Sequence, residues 1–206
     1  MTRRLTGLAH TAVRDVVRPG DIAVDGTAGN GHDTLFLAEV VGPAGRVFAF
    51  DTQSAAIQAT RRRVSAHGRE QTVELIETCH ARLGEFLPPQ LQINAAMFNL
   101  GYLPGGDKQV TTVSKTTLVA LSACLERLAV GGILTLVAYR GHPGGATEAA
   151  DVAAGIESLP AEQYVCERHE SPASGPVLWV IRRRIQNNGF SRANAAARDS
   201  GAALRG

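Results

Sequence analysis

Short apolar runs alternate with segments of helical spacing along most of the chain. The runs are four to eight residues long and predict strands, whereas apolar positions three and four apart predict helices. The predicted strands are 22–25, 46–50, 73–77, 93–100, 133–139, 164–170 and 177–183. The predicted helices are 5–17, 34–41, 54–66, 113–128 and 146–158, with a short helical turn at 82–86. Glycine and proline separate these elements, and we interpret Gly131-Gly132 as the turn before the fifth strand.

The connections between these elements predict the sheet. Strands separated by helices imply a parallel sheet with right-handed crossovers. The loop 171–176 joins the last two strands and is too short for a parallel crossover, so it predicts an antiparallel hairpin. We therefore expect an α/β fold with helices on both faces of a seven-stranded, mostly parallel sheet whose last strand is antiparallel. Residues 1–184 are expected to form one domain, and 185–206 a mobile tail.

Composition excludes several classes of protein. The chain has 206 residues, of which 44% are hydrophobic and 19% charged, as in one globular domain. No apolar stretch approaches the roughly 20 residues that span a bilayer, and the basic N-terminus lacks the apolar core of a secretory signal. The three cysteines lie far apart and no metal-ligand spacing occurs, so we expect a cytoplasmic protein without a metal site.

A glycine-rich turn, D-G-T-A-G-N-G-H-D-T at 25–34, follows the first predicted strand. Its glycines allow positive φ and close approach of a ligand, and the amides of the next helix point at the turn. Neither G-x-G-x-x-G nor the P-loop spacing is present. Asp25 ends the strand where a phosphate would be repelled, which favours a ligand with hydroxyls or an ammonium group. The candidate cofactor residues here are Asp25, Gly26, Thr27, Gly29, Asn30, Gly31, His32 and Asp33.

Further polar residues follow the neighbouring strands, at the sheet edge where ligands bind in such folds. Asp51 is placed to accept hydrogen bonds from ribose hydroxyls, and His80 lies where an adenine ring would be. A strand-end acid for an ammonium group and turn amides for a carboxylate fit S-adenosylmethionine, the predicted cofactor. Asp33 is equally explained by the helix dipole, and His80 by an ordinary structural contact. These cofactor candidates are Asp51, Thr52, Gln53, His80 and Asn99.

The segment N-L-G-Y-L-P-G-G-D-K at 99–108 is the second informative stretch. It resembles the N-P-P-[YF] motif of amine methyltransferases, with Leu-Gly in place of Pro-Pro. An asparagine oxygen and a nearby backbone carbonyl can hold amine N–H groups and orient the nitrogen lone pair. We predict Asn99 and Tyr102 as catalytic residues, with Tyr102 stacking on a planar acceptor; a core tyrosine is the alternative.

A substrate subsite is expected along this segment and the end of the fifth strand. Lys108 is a candidate phosphate contact, with a solvated turn as the alternative. Roles for Arg140 and His142 in substrate binding or in structure are both open. The candidate substrate residues are Leu100, Gly101, Tyr102, Pro104, Gly105, Gly106, Asp107, Lys108, Tyr139, Arg140 and His142.

Four motifs together resemble one family over residues 5–184: D-G-T-A-G-N-G-H-D-T, F-A-F-D-T-Q, N-L-G-Y-L-P-G-G-D-K and Y-R-G-H-P-G-G. This is the family described as putative rRNA methylases, which are Rossmann-like class I S-adenosylmethionine-dependent methyltransferases. The resemblance implies methylation of the aminomethyl nitrogen of 5-aminomethyl-2-thiouridine at the tRNA wobble position. It assigns Asp25, Gly29, Asp51 and Gln53 to the cofactor, and 102–108 to the nucleoside.

The expected partner is the anticodon region of tRNA, and a homodimer is an open alternative to a monomer. The net charge of +2 is low for a dedicated RNA-binding protein, so methylation of rRNA or of a small amine remains an alternative. A cofactor-binding protein without methyl transfer is disfavoured by Asn99 and Tyr102. A nicotinamide-dependent oxidoreductase is disfavoured by the glycine spacing.

Overall fold

Seven strands and six α-helices alternate along the part of the chain that the computed structural model describes, residues 2–107, 109–171 and 175–185. The strands are β1 Ile22–Asp25, β2 Arg46–Asp51, β3 Val73–Glu77, β4 Ile93–Leu100, β5 Leu128–Ala138, β6 Tyr164–Glu170 and β7 Val177–Arg183. The helices are α1 Thr2–Val16, α2 His32–Val41, α3 Ser54–Ala66, α4 Leu83–Phe86, α5 Ser114–Arg127 and α6 Gly145–Glu157. A single 3-10 turn, His80–Arg82, precedes α4.

The strands form one sheet in the order β3-β2-β1-β4-β5-β7-β6. β7 is antiparallel to both of its neighbours, and the other described strand pairs are parallel. The predicted fold class and the predicted antiparallel hairpin are therefore confirmed. The strand order reverses between β1 and β4, so the chain leaves these two neighbouring strands toward opposite sides and opens a crevice at their carboxyl ends.

Two apolar layers cover the two faces of the sheet. On one face, α1 and α2 pack against the strands through buried side chains such as Leu5, Val13, Phe36 and Leu37. On the other face, α4, α5 and α6 contribute Leu83, Leu121, Leu125, Val152 and Ile156. Burial of the central strands on both faces explains their short, uniformly apolar sequences. These layers fix the ends of β1 and β4, where the polar motifs lie.

The observed boundaries of the helices and strands agree closely with those predicted from the sequence, with one exception. The prediction of a turn at Gly131-Gly132 before the fifth strand is wrong, because β5 already begins at Leu128. Pairing with β4 shifts from Ile93 opposite Leu128 to Ala95 opposite Ile133, so the extra residues form a bulge. Gly131 adopts a φ of 79° there. A glycine pair inside a strand marks a bulge as readily as a turn, and the pattern alone cannot separate them.

Other differences are small. α1 begins at Thr2 and α2 at His32, each earlier than predicted. The early start of α2 follows from Gly31, whose φ of 77° allows it to cap the helix. None of the described helices is both long and apolar enough to cross a membrane. Residues 186–206 of the predicted tail, and Lys108, lie outside the described residues.

Candidate active site

A cavity of about 840 Å³ lies at the carboxyl ends of β1, β2, β4 and β5. Its volume is in the range of roughly 300–1,000 Å³ that is usual for small-molecule sites. The lining comes from the turn after β1, the residues after β2 and β3, and the loops after β4 and β5. The two motifs that the sequence singled out, at 25–34 and 99–108, therefore lie on one cavity at the switch point of the sheet.

The glycines of the turn are required by close packing within the protein. A Cβ on Gly26 would lie 2.0 Å from Cε1 of Phe98 on β4. A Cβ on Gly31 would lie 2.8 Å from the Cα of Thr60 on α3. Thr60 also donates a hydrogen bond from its hydroxyl to the carbonyl of Gly29, at 3.1 Å. The turn is therefore seated tightly between β4 and α3, with its outer side lining the cavity.

Asp25 stabilises the turn through hydrogen bonds to two of its residues. One of its oxygens accepts a hydrogen bond from the Thr27 amide at 3.0 Å, and the other accepts from the Thr34 hydroxyl at 2.6 Å. The side chain is almost completely buried and is absent from the cavity lining. Burial, and next the negative charge of Asp33, raise the pKa of Asp25 to about 7. Its geometry supports a role in shaping the turn rather than direct contact with a ligand.

Asp51 faces the cavity at the end of β2. Its two oxygens accept hydrogen bonds from the amides of Gly29 and Gln53, each at 2.9 Å. A carboxylate oxygen has a further lone pair, so each can also accept from a ligand hydroxyl. The carboxylate is thereby oriented before any ligand binds, and the pair of acceptors matches the two hydroxyls of a ribose.

His80 supplies a second acceptor. Its Nδ1 donates to the carbonyl of Gly26 at 3.2 Å, which leaves Nε2 as the unprotonated nitrogen. Nε2 is buried without a hydrogen-bond partner, and burial lowers the pKa of His80, which favours the neutral ring. A buried unpaired acceptor costs free energy unless a ligand donates to it. An exocyclic amine of a bound base would supply that donor, so the residues present fit an adenosyl group.

Arg63 on α3 was not predicted as a site residue, but it contacts the turn after β1. Its Nε donates to the carbonyl of Asn30 at 2.7 Å, and its guanidinium lies 3.1 Å from Nε2 of His32. Burial is the main cause of the lowered pKa of His32, and the charge of Arg63 adds to it. Asn30 in turn donates to the carbonyl of Pro104 at 3.1 Å, which links the turn to the loop after β4.

Asn99 lies at the end of β4, where its backbone amide and its side-chain NH₂ group both donate hydrogen bonds within the protein. Its amide donates to the hydroxyl of Thr27 at 2.7 Å, and its side-chain Nδ2 donates to Oδ2 of Asp33 in a short hydrogen bond. Its Oδ1 is buried without a partner. The other oxygen of Asp33 lies 2.6 Å from Nε2 of His10 on α1. An unpaired amide oxygen beside the cavity can accept an N–H from a ligand.

Tyr102 is 37% exposed, which excludes the alternative of a core tyrosine. Its ring meets that of His142 edge to face, with centroids 6.0 Å apart. The loop that carries it is anchored at both ends, because the amide of Gly101 donates to the Thr112 hydroxyl at 2.9 Å and that hydroxyl donates to Glu148 at 2.6 Å. An exposed, oriented ring at the cavity mouth can stack on a planar group.

Arg140 lines the cavity, but its guanidinium also braces the β6–β7 connection. Nε donates to the carbonyl of Gly175 at 2.7 Å, Nη2 to that of Ser171 at 3.3 Å, and Nη1 lies 3.5 Å from Glu170. These contacts favour the structural alternative for this residue. His142 donates from Nδ1 to the carbonyl of Pro143, and its Nε2 is buried without a partner.

The cavity gathers most of the predicted residues. Those that line it are Gly26, Thr27, Gly29, Asn30, His32, Asp33, Asp51, Thr52, Gln53, His80, Asn99, Leu100, Gly101, Tyr102, Pro104, Gly105, Tyr139, Arg140 and His142. Four described candidates lie outside the lining: Asp25, Gly31, Gly106 and Asp107. Among the described residues, no cluster of three or more His, Cys, Asp or Glu side chains could hold a metal ion.

Ala28, Leu103 and Gly141 also line the cavity from within the motifs, although they were not among the named candidates. Sequence reasoning missed a group of lining residues outside the motifs: Thr6, Cys79, Val110, Thr111, Thr112, Thr116 and Pro176. Sequence reasoning also interpreted His10 as a structural or surface residue. Thr6 and His10 lie on α1, where no spacing links them to the β1 turn. The one sequence feature that could have indicated His10 is its position next to the buried residues of an amphipathic helix. Polar side chains are common at such positions, so the feature is not specific.

The sheet order, the turn after β1 and the acid after β2 define a Rossmann-like class I methyltransferase. A model of the family described as "Putative rRNA methylase" matches residues 47–181. The chain is also 38% identical over 192 residues to the chloroplastic tRNA (mnm5s2U34)-methyltransferase of Arabidopsis thaliana, covering 88% of this chain and 70% of that protein. The chain belongs to this rRNA methylase family, and the cofactor predicted from the sequence, S-adenosylmethionine, is confirmed.

Solved structures agree in fold and length. A putative rRNA methylase from Clostridium thermocellum is 36% identical with a TM-score of 0.84, and the match covers 87% of this chain and 97% of that one. A putative methyltransferase from Streptococcus mutans, solved in complex with S-adenosylhomocysteine (SAH), is 33% identical with a TM-score of 0.79. That match covers 89% of this chain and 99% of the other. The protein is thus an S-adenosylmethionine-dependent methyltransferase whose described fold spans nearly all of these relatives.

Proposed function

We propose that the protein methylates the aminomethyl nitrogen of 5-aminomethyluridine, with or without 2-thiolation, at the wobble position of tRNA. The observation that carries the proposal is the buried, unpaired Oδ1 of Asn99 beside the cavity. The Arabidopsis relative, named as a tRNA (mnm5s2U34)-methyltransferase, supports the choice of substrate. Amine acceptors present N–H donors, and an amide oxygen that lacks a donor is suited to them.

The residues that would hold the methyl donor are those with hydrogen-bond acceptors or donors that are free to bind a ligand. Asp51 is oriented to accept from the ribose hydroxyls, and Nε2 of His80 to accept from the adenine amine. The turn amides and the start of α2 favour the carboxylate of the amino-acid end. When bound, S-adenosylmethionine supplies an electrophilic methyl group on a sulfonium centre. The direct role predicted for Asp25 is replaced in this proposal by support of the turn.

Asn99 orients the acceptor. Its Oδ1 accepts an N–H of the substrate amine, so the nitrogen lone pair is directed away from Asn99 and toward the cofactor side of the cavity. The amine must arrive in its neutral form, because an ammonium group has no lone pair. The nitrogen would use that pair to bond the methyl carbon as the bond from this carbon to the sulfonium sulfur breaks, which leaves the neutral thioether of SAH, and the proton of the ammonium product would be released to water. No strong base is needed in this step.

Tyr102 would hold the pyrimidine. Its exposed ring, steadied edge-on by His142, offers a flat apolar face for stacking. The remaining substrate candidates along 100–107, together with Tyr139 and Arg140, stay predictions, as does the phosphate contact of Lys108. A cytoplasmic location and a homodimer also stay predictions.

Methylation of rRNA is the second candidate, and the description of the matching family favours it. The two are separated by supplying labelled S-adenosylmethionine with tRNA that carries 5-aminomethyl groups, with the same tRNA lacking them, and with ribosomal RNA. We expect label in the aminomethylated tRNA alone. Label in ribosomal RNA, with none in tRNA, would overturn the proposal. Equal labelling of both tRNA samples would show that the acceptor is not the aminomethyl nitrogen.

A further inference from the structure

We propose that His10 is a positioning residue for methyl transfer, acting through Asp33 to fix the side-chain amide of Asn99. The inference rests on the proposed function in one respect, namely that Asn99 receives an amine. His10 comes from α1, before the first strand, and lies 23 residues from Asp33 in sequence. The N-terminal helix would therefore be part of the active site rather than only a cover for the sheet.

The hydrogen bonds of Asp33 determine which way the Asn99 amide faces. An ionised carboxylate accepts but cannot donate. Nε2 of His10 lies 2.6 Å from Oδ1 of Asp33, and the Asn99 side chain is hydrogen-bonded to Oδ2. Asp33 can therefore be met by Asn99 only through the NH₂ group, and the contact of His10 with Oδ1 fixes the rotation of the carboxylate so that Oδ2 faces Asn99. The amide oxygen of Asn99 must then lie on the opposite side, where it is buried and unpartnered.

His10 is itself held in place. Its ring stacks on Phe36 with centroids 3.9 Å apart and an interplanar angle of 2°. Phe36 is three residues after Asp33 on α2, so the ring of His10 and the carboxylate that it contacts are fixed to one face of one helix. Ala9 and Val13 on either side of His10 are buried in the core. The donor to Asp33 is thereby rigid, as a residue that sets the orientation of another must be.

A purely structural role for His10 would be to satisfy a mostly buried carboxylate at the start of α2. The two roles predict different kinetics. Loss of a structural contact lowers stability and leaves the turnover of folded enzyme unchanged. Loss of a positioning contact lets the Asp33 carboxylate turn and the Asn99 amide move with it, which lowers kcat for the amine while leaving SAH affinity unchanged. The size of the loss should be roughly 10- to 100-fold, as for other small displacements of reacting groups.

Two substitutions separate the hydrogen bond from the ring. His10→Phe keeps a ring to stack on Phe36 but has no donor for Asp33, whereas His10→Gln loses the ring and can donate from its side-chain amide. Thr11→Ala, at an exposed neighbouring position on α1, is the matched control. We expect His10→Phe to lose kcat, His10→Gln to recover most of it, and Thr11→Ala to match the wild type. Wild-type kcat in folded His10→Phe would overturn the proposal.

A measurement without substrate keeps this test independent of the proposed function. The Asn99 side-chain amide signal in ¹⁵N-labelled protein is assigned by its loss in Asn99→Ala. We expect that signal to shift in His10→Phe and to return toward its wild-type position in His10→Gln. An unchanged signal in His10→Phe would overturn the proposal. A wild-type enzyme that methylates no tRNA, with the signal responding as expected, would contradict the proposed substrate and support the positioning of Asn99 by His10.

Discussion

At the residue scale, the site consists of acceptors whose orientation is set by hydrogen bonds within the protein. Asp51 is aligned by two backbone amides, His80 by one carbonyl and Asn99 by Asp33. His80 and Asn99 each keep one acceptor atom without a hydrogen-bond donor, and each oxygen of Asp51 keeps a free lone pair. Catalysis by positioning requires this kind of prior order, because ordering the groups during the reaction would cost entropy.

Removal of the Asn99 side chain tests the acceptor assignment. We expect Asn99→Ala to lower kcat by roughly 100-fold, because the amine is no longer oriented, while SAH binds as tightly as to the wild type. Calorimetry with SAH and turnover on aminomethylated tRNA measure the two quantities. Asn94→Ala is the control, since Asn94 lies on the same strand and bonds Ile22 away from the cavity. A large loss of SAH affinity in Asn99→Ala would instead assign Asn99 to the cofactor.

Asp51 is expected to contribute to cofactor binding. Asp51→Ala should weaken SAH binding by about 1–3 kcal/mol, the cost of leaving the ligand hydroxyls without their acceptor. Asp51→Asn retains one acceptor and should lose less. Titration calorimetry gives both values. Unchanged affinity in Asp51→Ala would remove this residue from the cofactor site.

Asp25 should make stability depend on pH in a direction unusual for a carboxyl group. Its pKa is raised from 3.8 to about 7 in the folded protein, chiefly by burial. Between these values the folded chain binds more protons than the unfolded chain, so this group lowers the free energy of unfolding as pH rises. Asp25→Asn removes the effect. We expect its free energy of unfolding relative to wild type to increase between pH 3.8 and about 7 and then to level off.

Urea unfolding of both proteins across this pH range provides the measurement. Titrating groups distant from Asp25 contribute equally to both proteins and cancel in the difference, whereas Asp33, whose charge raises the pKa of Asp25, belongs to the same effect. A difference that is independent of pH would contradict the raised pKa.

At the element scale, α6 controls the loop that carries Tyr102. Glu148 is buried and accepts from the hydroxyls of Thr112 and Thr117 at 2.6 and 2.7 Å. Thr112 in turn accepts from the amide of Gly101, immediately after β4. The carboxylate therefore ties helix, loop and strand end together by three hydrogen bonds in series.

Truncation of Glu148 should destabilise the fold and loosen this loop. We expect Glu148→Ala to lower the free energy of unfolding by about 1–3 kcal/mol, since two buried hydroxyls lose their acceptor. The KM for tRNA should rise more than kcat falls. Glu157→Ala, at the exposed end of the same helix, is the control and should be close to neutral. Equal stability of the two variants would show that the Glu148 network contributes little.

The elements themselves were largely predictable. Short apolar runs such as 93–100 predict buried strands. The helices that connect them predict a parallel sheet. The start of β5 was not predictable, because Gly131 permits a turn or a bulge, and pairing with β4 decided between them. His10 was missed for a related reason: its partner is distant in sequence, and a contact between α1 and α2 leaves no periodic pattern.

At the scale of the whole molecule, the sheet order places two kinds of chemistry side by side. The turn after β1 and the motif after β4 are adjacent because β1 pairs with β4, although about seventy residues separate them in sequence. The bond from Asn30 to Pro104 joins the two at the cavity rim. The alternation of strands and helices predicted that both motifs lie at one edge of the sheet, whereas the pairing of β1 with β4 and the contribution of α1 required the three-dimensional structure.

The most direct test of the account is the identity of the methylated nucleoside. Purified protein and S-adenosylmethionine are incubated with tRNA bearing 5-aminomethyl-2-thiouridine. The tRNA is then digested to nucleosides, which are separated by chromatography and identified by mass spectrometry. We expect conversion of 5-aminomethyl-2-thiouridine to its 5-methylaminomethyl derivative, with far less product from Asn99→Ala. A methyl group on a ring atom, on ribose or on another nucleoside would contradict this expectation.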